Sequence, residues 1–380
     1  MKIFRTLALA AAAAALALGA QAQTPASAGA PPADPAATPA TKLLLANLHR
    51  LVGRGVMFGH QDDLAYGVDQ GKMWKGDANR SDVKTVTGSY PAVFGWELGH
   101  VELDSARNLD GVPFARIQGY IKQAYAQGSV VTISWHLNNP HNGKTAWDTA
   151  RTVKYILPGG PDHAKYVSYL DRVATFMGGL KGGKGEAIPV IFRPFHEHTG
   201  SWFWWGQKEC TPAEFKAIWQ FTVNYLHNEK KLHNLIIAYS AADFATEADY
   251  LERYPGDEYV DVMGFDAYCD RRNVARFQQD LDQRMTVLET VAKAHRKLPA
   301  LTEFGFEGLP DPTWWTKVLL PALQKYPVSY ALTWRNGDPV HYFVPFPGQA
   351  SAADFKAFSQ DKKVLFENRI APLHLYSKPI

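Results

Sequence analysis

The strongest constraint on this chain is an alternation. Eight short apolar runs, rich in β-branched and aromatic residues, are separated by longer stretches of helical period. The runs are residues 56–58, 92–96, 130–135, 189–193, 235–240, 260–266, 300–303 and 328–334. They are apolar at nearly every position, as strands buried on both faces must be. Between them, Phe114, Ile117, Ile121 and Tyr125 step by three and four, and Gly128 follows as a stop. Tyr166, Leu170, Val173 and Met177 repeat the pattern. Thr211-Pro212-Ala213-Glu214 is a capping box with proline at the first helical position. Further helices are expected over 274–294, 312–324 and 352–366. Eight strand-helix repeats predict a (β/α)8 TIM barrel as a single catalytic domain. An open doubly wound sheet would want a Gly-rich phosphate turn after an early strand, and the sequence has none.

The ends differ from this body. Lys2 and Arg5 precede an unbroken run of Ala, Leu and one Gly over 7–20. Ala20-Gln21-Ala22 then gives a small-x-small cleavage pattern, so 1–22 is expected to be a bacterial signal peptide cut after Ala22. The mature protein is then periplasmic or secreted, with no membrane segment. Residues 23–41 are almost all Ala, Pro, Thr, Ser and Gly, a composition that cannot offset its ordering entropy. They are expected to form a disordered spacer, with the folded domain spanning 42–380.

Composition removes several functions. The chain has 40 basic and 37 acidic residues; without Lys2 and Arg5 the balance is 38 to 37. That argues against a nucleic-acid partner, which would call for a broad basic field. Two cysteines exclude a disulfide-stapled miniprotein and a four-cysteine zinc site. Cys210 and Cys269 follow the fourth and sixth strands. An exported compartment permits a bond between them, but those strands are not neighbours, so loop paths decide. Aromatic residues are abundant: 11 Trp, 17 Tyr and 20 Phe.

A barrel keeps its chemistry at the C-terminal ends of its strands. Those ends carry His60-Gln61-Asp62-Asp63, Glu97 and His100, Trp135-His136, His196-Glu197-His198, Ser240, Asp266 and Tyr268, Glu303, and Trp334-Arg335. All but Ser240 offer an ionisable group or a Trp. Glu197 and Glu303 end the fourth and seventh strands, and two carboxylates across a barrel mouth suit glycoside hydrolysis. Apolar rings crowd Glu197 in the stretch Trp202-Phe203-Trp204-Trp205, and would raise its pKa as a general acid needs. A nucleophile instead wants donors, which Tyr268 and a strand-end Arg or His can supply to Glu303. Arg193 is placed to order both glutamates from below. Spacing along the chain leaves open whether the reaction retains or inverts configuration.

At these residues the sequence resembles the β-mannanases of glycoside hydrolase family 26, in the clan of retaining (β/α)8 hydrolases. The resemblance runs through GHQDD at 59–63, SDVKTVTGSYPAVFGWELGH at 81–100, FRPFHEHTGSWFWWG at 192–206, GFDAY at 264–268, TEFG at 302–305 and TWRNG at 333–337. The His196-Glu197 pair is specific, because most of the clan carries Asn before the acid/base. The resemblance implies Glu197 as acid/base and Glu303 as nucleophile, with His196 beside the reacting sugar. It implies Tyr268 hydrogen-bonded to the nucleophile, Trp334 as the platform under the sugar, and Trp202 on the leaving-group side. His136, Trp135 and Arg335 would bind sugars on the other side. The implied activity is endo-cleavage of β-1,4-mannan by a monomeric enzyme without cofactor or metal. Exo-acting release of mannobiose, or a family relative's β-1,3-xylan or mixed-linkage glucan, stays open.

Two rival classes are weaker. Five histidines (His60, His100, His136, His196, His198) invite a metal hydrolase. No His-x-His opens the first strand, however, and no Lys stands out as a bridging ligand; Asp62 and Asp63 read as loop caps. A non-catalytic sugar-binding protein would need the rings but not both glutamates. Of the tryptophans, Trp219, Trp314 and Trp315 fall on outer helices as packing. The other eight fall at strand ends or the loops after them, where pyranose faces can stack.

Overall fold

The computed structural model describes residues 29–270 and 273–380. The leader 1–22 and spacer residues 23–28 lie outside the described residues. Eight parallel strands follow one another around a closed barrel: β1 (Val56–Gln61), β2 (Val93–Glu97), β3 (Val130–Trp135), β4 (Val190–Pro194), β5 (Leu235–Ala241), β6 (Val262–Tyr268), β7 (Leu298–Gly305) and β8 (Tyr330–Thr333). Each pairs with its sequence neighbours, and β8 returns to β1 with His60 opposite Thr333. The (β/α)8 expectation is met.

Alternation along the strands sorts side chains into two cores. Met57, Val93, Val130, Ile191, Ile236, Val262, Leu298 and Tyr330 fill the N-terminal end of the barrel, together with Leu44, Leu45, Leu48 and Leu51 of the helix Pro39–Leu51. Their neighbours Phe58, Phe94, Ile133, Phe192, Ile237 and Phe265 face outward into a second core beneath the surrounding helices. The barrel is thus plugged below by its first helix, and only the C-terminal mouth is free for chemistry.

The helices Phe114–Ala126, His163–Gly178, Pro212–Asn224 and Val274–His295 stand where periodicity placed them. Both capping-box bonds at Thr211 form, at 3.2 and 2.7 Å. Two of the expected helices need correction. Residues 312–324 fold as a π-turn, Trp315–Leu319, leading into the helix Leu320–Lys325. The helix expected over 352–366 stops at Gln360, because the Asp361 carboxylate accepts from Lys363 N at 2.7 Å and turns the chain. Val364–Leu365 then pairs with the start of β1.

The spacer is also shorter than expected. Ala33 N donates to the Asp261 carboxylate at 2.6 Å, and buried Asp34 accepts from His233 Nδ1 at 2.8 Å. The first helix, capped by Thr38, starts at Pro39, ahead of Lys42. Polar anchors, which composition does not weigh, tie this proline-rich stretch to the barrel.

Candidate active site

Strand geometry aims the two glutamates. Ile191 faces the barrel interior, so Arg193, two residues on, does too. Its guanidinium reaches Asp266 Oδ2 at 2.7 Å and also binds Glu303 Oε2. Glu303 owes its direction to a β-bulge: Phe265 pairs with Leu301 but Asp266 with Glu303, so Thr302 is an extra residue. The bulge turns both Thr302 and Glu303 inward, a re-aiming that bulges commonly supply beside active sites. Thr302 Oγ1 donates to Asp266 Oδ1 at 2.8 Å, and Ser240 Oγ does so at 2.9 Å. Tyr268 donates its hydroxyl to Glu303 Oε1. Glu303 therefore receives a guanidinium and a phenol, the donor set a carboxylate anion wants. Asp266 is pushed up to about 7 by burial, with Arg193 opposing and Glu303 reinforcing the shift.

Glu197 is held differently. Past β4 the backbone takes left-handed conformations at Phe195 (φ 47°) and Glu197 (φ 54°), uncommon for residues other than glycine and frequent at functional sites. Glu197 N donates to Ser240 O at 2.9 Å and fixes this kink. The carboxylate accepts from Trp202 Nε1 at 2.6 Å. Burial first, then the charges of Asp266 and Glu303, raise the Glu197 pKa well above the ordinary carboxylate range.

A buried chain backs the site. Glu97 accepts from Ser134 Oγ (2.8 Å), His136 N (2.9 Å) and His136 Nδ1 (2.7 Å). His136 Nε2 then faces His196 Nε2 at 3.0 Å, an arrangement that requires one proton between two nitrogens. Burial lowers the His136 pKa, but Glu97 outweighs it and the net shift is upward. Burial, Arg193 and His136 push His196 far down. The proton therefore belongs to His136. His196 stays neutral, its Nδ1 buried without a protein partner.

Other expected residues separate. Trp334 is half-buried, its ring 6.1 Å from that of His136. Arg335 is anchored by Asp110 at 3.1 Å. Trp202 is 40% exposed beside Glu197. Trp135 is misplaced by the sequence reading: it lies on the outward face with Val131 and Ile133, fully buried, donating to Glu102 at 2.9 Å. Trp204 and Trp205 are also fully buried, each donating its indole N–H to a backbone carbonyl. The cysteines are not joined. Cys210 accepts from Arg253 Nη2 at 2.8 Å, and Cys269 lies buried elsewhere. Among the described residues, no three His, Cys, Asp or Glu side chains gather as metal ligands would.

The model for glycosyl hydrolase family 26 matches residues 33–312, which include every strand end except that of β8. The chain belongs to glycosyl hydrolase family 26. It is 33% identical over 316 residues to a mannan endo-1,4-beta-mannosidase of Bifidobacterium adolescentis, covering 77% of this chain and 32% of that protein. The chain thus spans about a third of that relative's length. A GH26 beta-mannanase from Bacteroides ovatus superposes with a TM-score of 0.86 at 44% identity, over 90% of this chain and 98% of that one. A modular endo-beta-1,4-mannanase from Cellulomonas fimi gives 0.82 at 34% identity, over 92% and 80%.

Within this family 26 site, sequence reasoning counted Trp147 among the eight strand-end and loop tryptophans but gave it no role of its own. It is 52% exposed and stacks on His136, with ring centres 5.2 Å apart. It sits in the long loop after β3, where no period marks it. It also gave Asp266 no role, although Asp266 and Tyr268 stand two apart on β6 and must share a face.

Proposed function

We propose that this chain is a retaining endo-β-1,4-mannanase. The observation that carries the reading is the asymmetry of the glutamate pair: Glu303 buried and held by Arg193 and Tyr268, Glu197 half-buried with one indole donor and a raised pKa. A carboxylate given charged and phenolic donors suits the nucleophile, and one whose pKa is raised suits the acid. Glu303 attacks the anomeric carbon while Glu197 protonates the departing oxygen. The covalent glycosyl-enzyme is then hydrolysed by a water that Glu197, now ionised, deprotonates. Trp334 and Trp147 offer ring faces to the sugars on the glycone side, and neutral His196 offers Nδ1–H to a hydroxyl. The relatives' mannan substrates, quoted above, support mannan as this chain's backbone. We place the mature protein outside the cytoplasm, beginning at Gln23, which sequencing of its N-terminus checks.

Glu303→Ala is expected to abolish mannan hydrolysis, and substantial residual turnover would remove the nucleophile assignment. Glu197→Ala is expected to slow polymer cleavage by roughly 10²–10⁴-fold. An activated aryl mannoside, which needs little acid help, should lose far less in glycosylation. Mannohexaose should yield a spread of early products; mannobiose alone from the start would indicate exo action.

A further inference from the structure

We infer that the flank of the barrel carries a separate anion pocket, fitted to the carboxylate of a hexuronate. The pocket, of about 310 Å³, lies between the loops that follow β1 and β2, with Tyr66, Lys75, Arg107, Asp110 and Arg116 in its wall. None of Glu197, Glu303, Trp334 or Arg335 lines it. Asp110 and Tyr66 stand between it and the cleft. Asp110 turns its carboxylate to Arg335 at 3.1 Å, and Tyr66 gives its hydroxyl to Asp62 at 2.6 Å. A ligand in this pocket would touch no group that the cleavage of mannan uses.

Charge selects the ligand. Among the described residues, Lys75, Arg107 and Arg116 form no ion pair, and the one carboxylate in the wall is already held by Arg335. Three uncompensated cations around one space repel each other, and an anion between them relieves that repulsion. Arg107 spends one N–H on Gly111 O at 2.8 Å and keeps the other donors of its fork. Arg116 comes close through a backbone device. Gly76 has a φ of 70°, and a Cβ there would collide with Arg116 Nη1. The guanidinium thus lies against the chain next to Lys75. The helix Phe114–Ala126 starts in the same wall, with no side-chain cap at Pro113, so its positive end adds to the field. Size argues for more than a bare inorganic ion, since 310 Å³ reaches the range of pockets that hold whole small molecules. Tyr66, Val112, Pro113 and Tyr120 give that space an apolar side. A pyranose bearing a carboxylate satisfies both halves, with its ring on the apolar side and its charge on the guanidinium forks.

The test titrates methyl β-D-glucuronide into the wild type, Arg116→Ala and Lys75→Ala, with binding followed by ligand-observed NMR. Both side chains are exposed and unpaired, so the variants should fold. The wild type is expected to bind with a Kd on the order of 1 mM, weakened about five- to tenfold in each variant by loss of a charge-assisted contact. Mannan hydrolysis should stay unchanged in both. Methyl β-D-glucoside, the same ring without the charge, should not compete, and inorganic phosphate should compete only weakly. No binding of the glucuronide, equal binding of the glucoside, tighter binding of phosphate, or undiminished binding in both variants overturns the hexuronate pocket. So does a parallel loss of mannan hydrolysis, which would place these cations in the cleft. A wild type that binds the glucuronide but cleaves no mannan overturns the mannanase reading alone.

Discussion

At the scale of the residue, Glu197 is tuned by one donor. It must be protonated to act as acid, so kcat/KM falls as pH rises through its pKa. Trp202 Nε1–H favours the charged form and works against the burial that raises the pKa. Trp202→Phe removes that bond and keeps a ring, so the pKa should rise further. The alkaline limb of kcat/KM is expected to move to higher pH, even as kcat/KM itself drops from lost sugar contact. A pH–rate series on a manno-oligosaccharide checks this, and a limb that stays or moves down would refute it. Both glutamates, Tyr268 and Trp334 were legible because strand ends are where barrels keep such groups. Trp135 was misread although its period was visible: with Val131 and Ile133 it belongs to the outward face, and only His136 beyond the strand turns to the mouth. The pairing of His136 with His196 was not legible, because both rings lie just past their strands, where alternation no longer fixes direction.

At the scale of the element, two local devices have separable consequences. The capping box at Thr211 closes the helix that packs Phe215, Ile218 and Trp219 behind the acid loop. Thr211→Ala should destabilise the fold by about 1 kcal/mol, seen in the denaturant midpoint, with kcat/KM unchanged. A fall in kcat/KM would mean that the helix end positions Glu197. The bulge at Thr302 does the opposite kind of work, adding direction rather than stability. Without it, strict alternation would place Thr302 and Glu303 on opposite faces. Sequence could not announce it, since Thr302 and Glu303 are both polar and either suits the interior. The capping box was legible because its two bonds span three residues, whereas the bulge is defined only against β6 and β8.

At the scale of the whole molecule, the aromatic surplus and the near-zero charge have different origins. Eight tryptophans are buried, including Trp96, Trp204 and Trp205. Only Trp147, Trp202 and Trp334 are open at the mouth. Most of the tryptophans therefore pack inside the fold, and only a minority of those at strand ends and loops are open enough to meet a sugar. Segment 29–38, read from composition as spacer, is part of the body through Asp34 and Ala33. A chain beginning at Lys42 should melt several degrees below one beginning at Gly29, since about 1 kcal/mol moves the midpoint of a domain this large by a few degrees. Equal melting temperatures would return that segment to the status of a tether.

The helix Pro39–Leu51 beneath the barrel and the last residues beside it, where Asn47 binds the carbonyl of Leu375 at 2.8 Å, put both chain entrances on the floor of the molecule. The mouth opens from the ceiling. Anything joined at either end, whether a solid support or a fused module, hangs below and leaves the opening turned toward the solution. Immobilisation through a terminus should therefore preserve access for a long insoluble fibre, whereas coupling through surface lysines in random orientations would blind a share of the molecules.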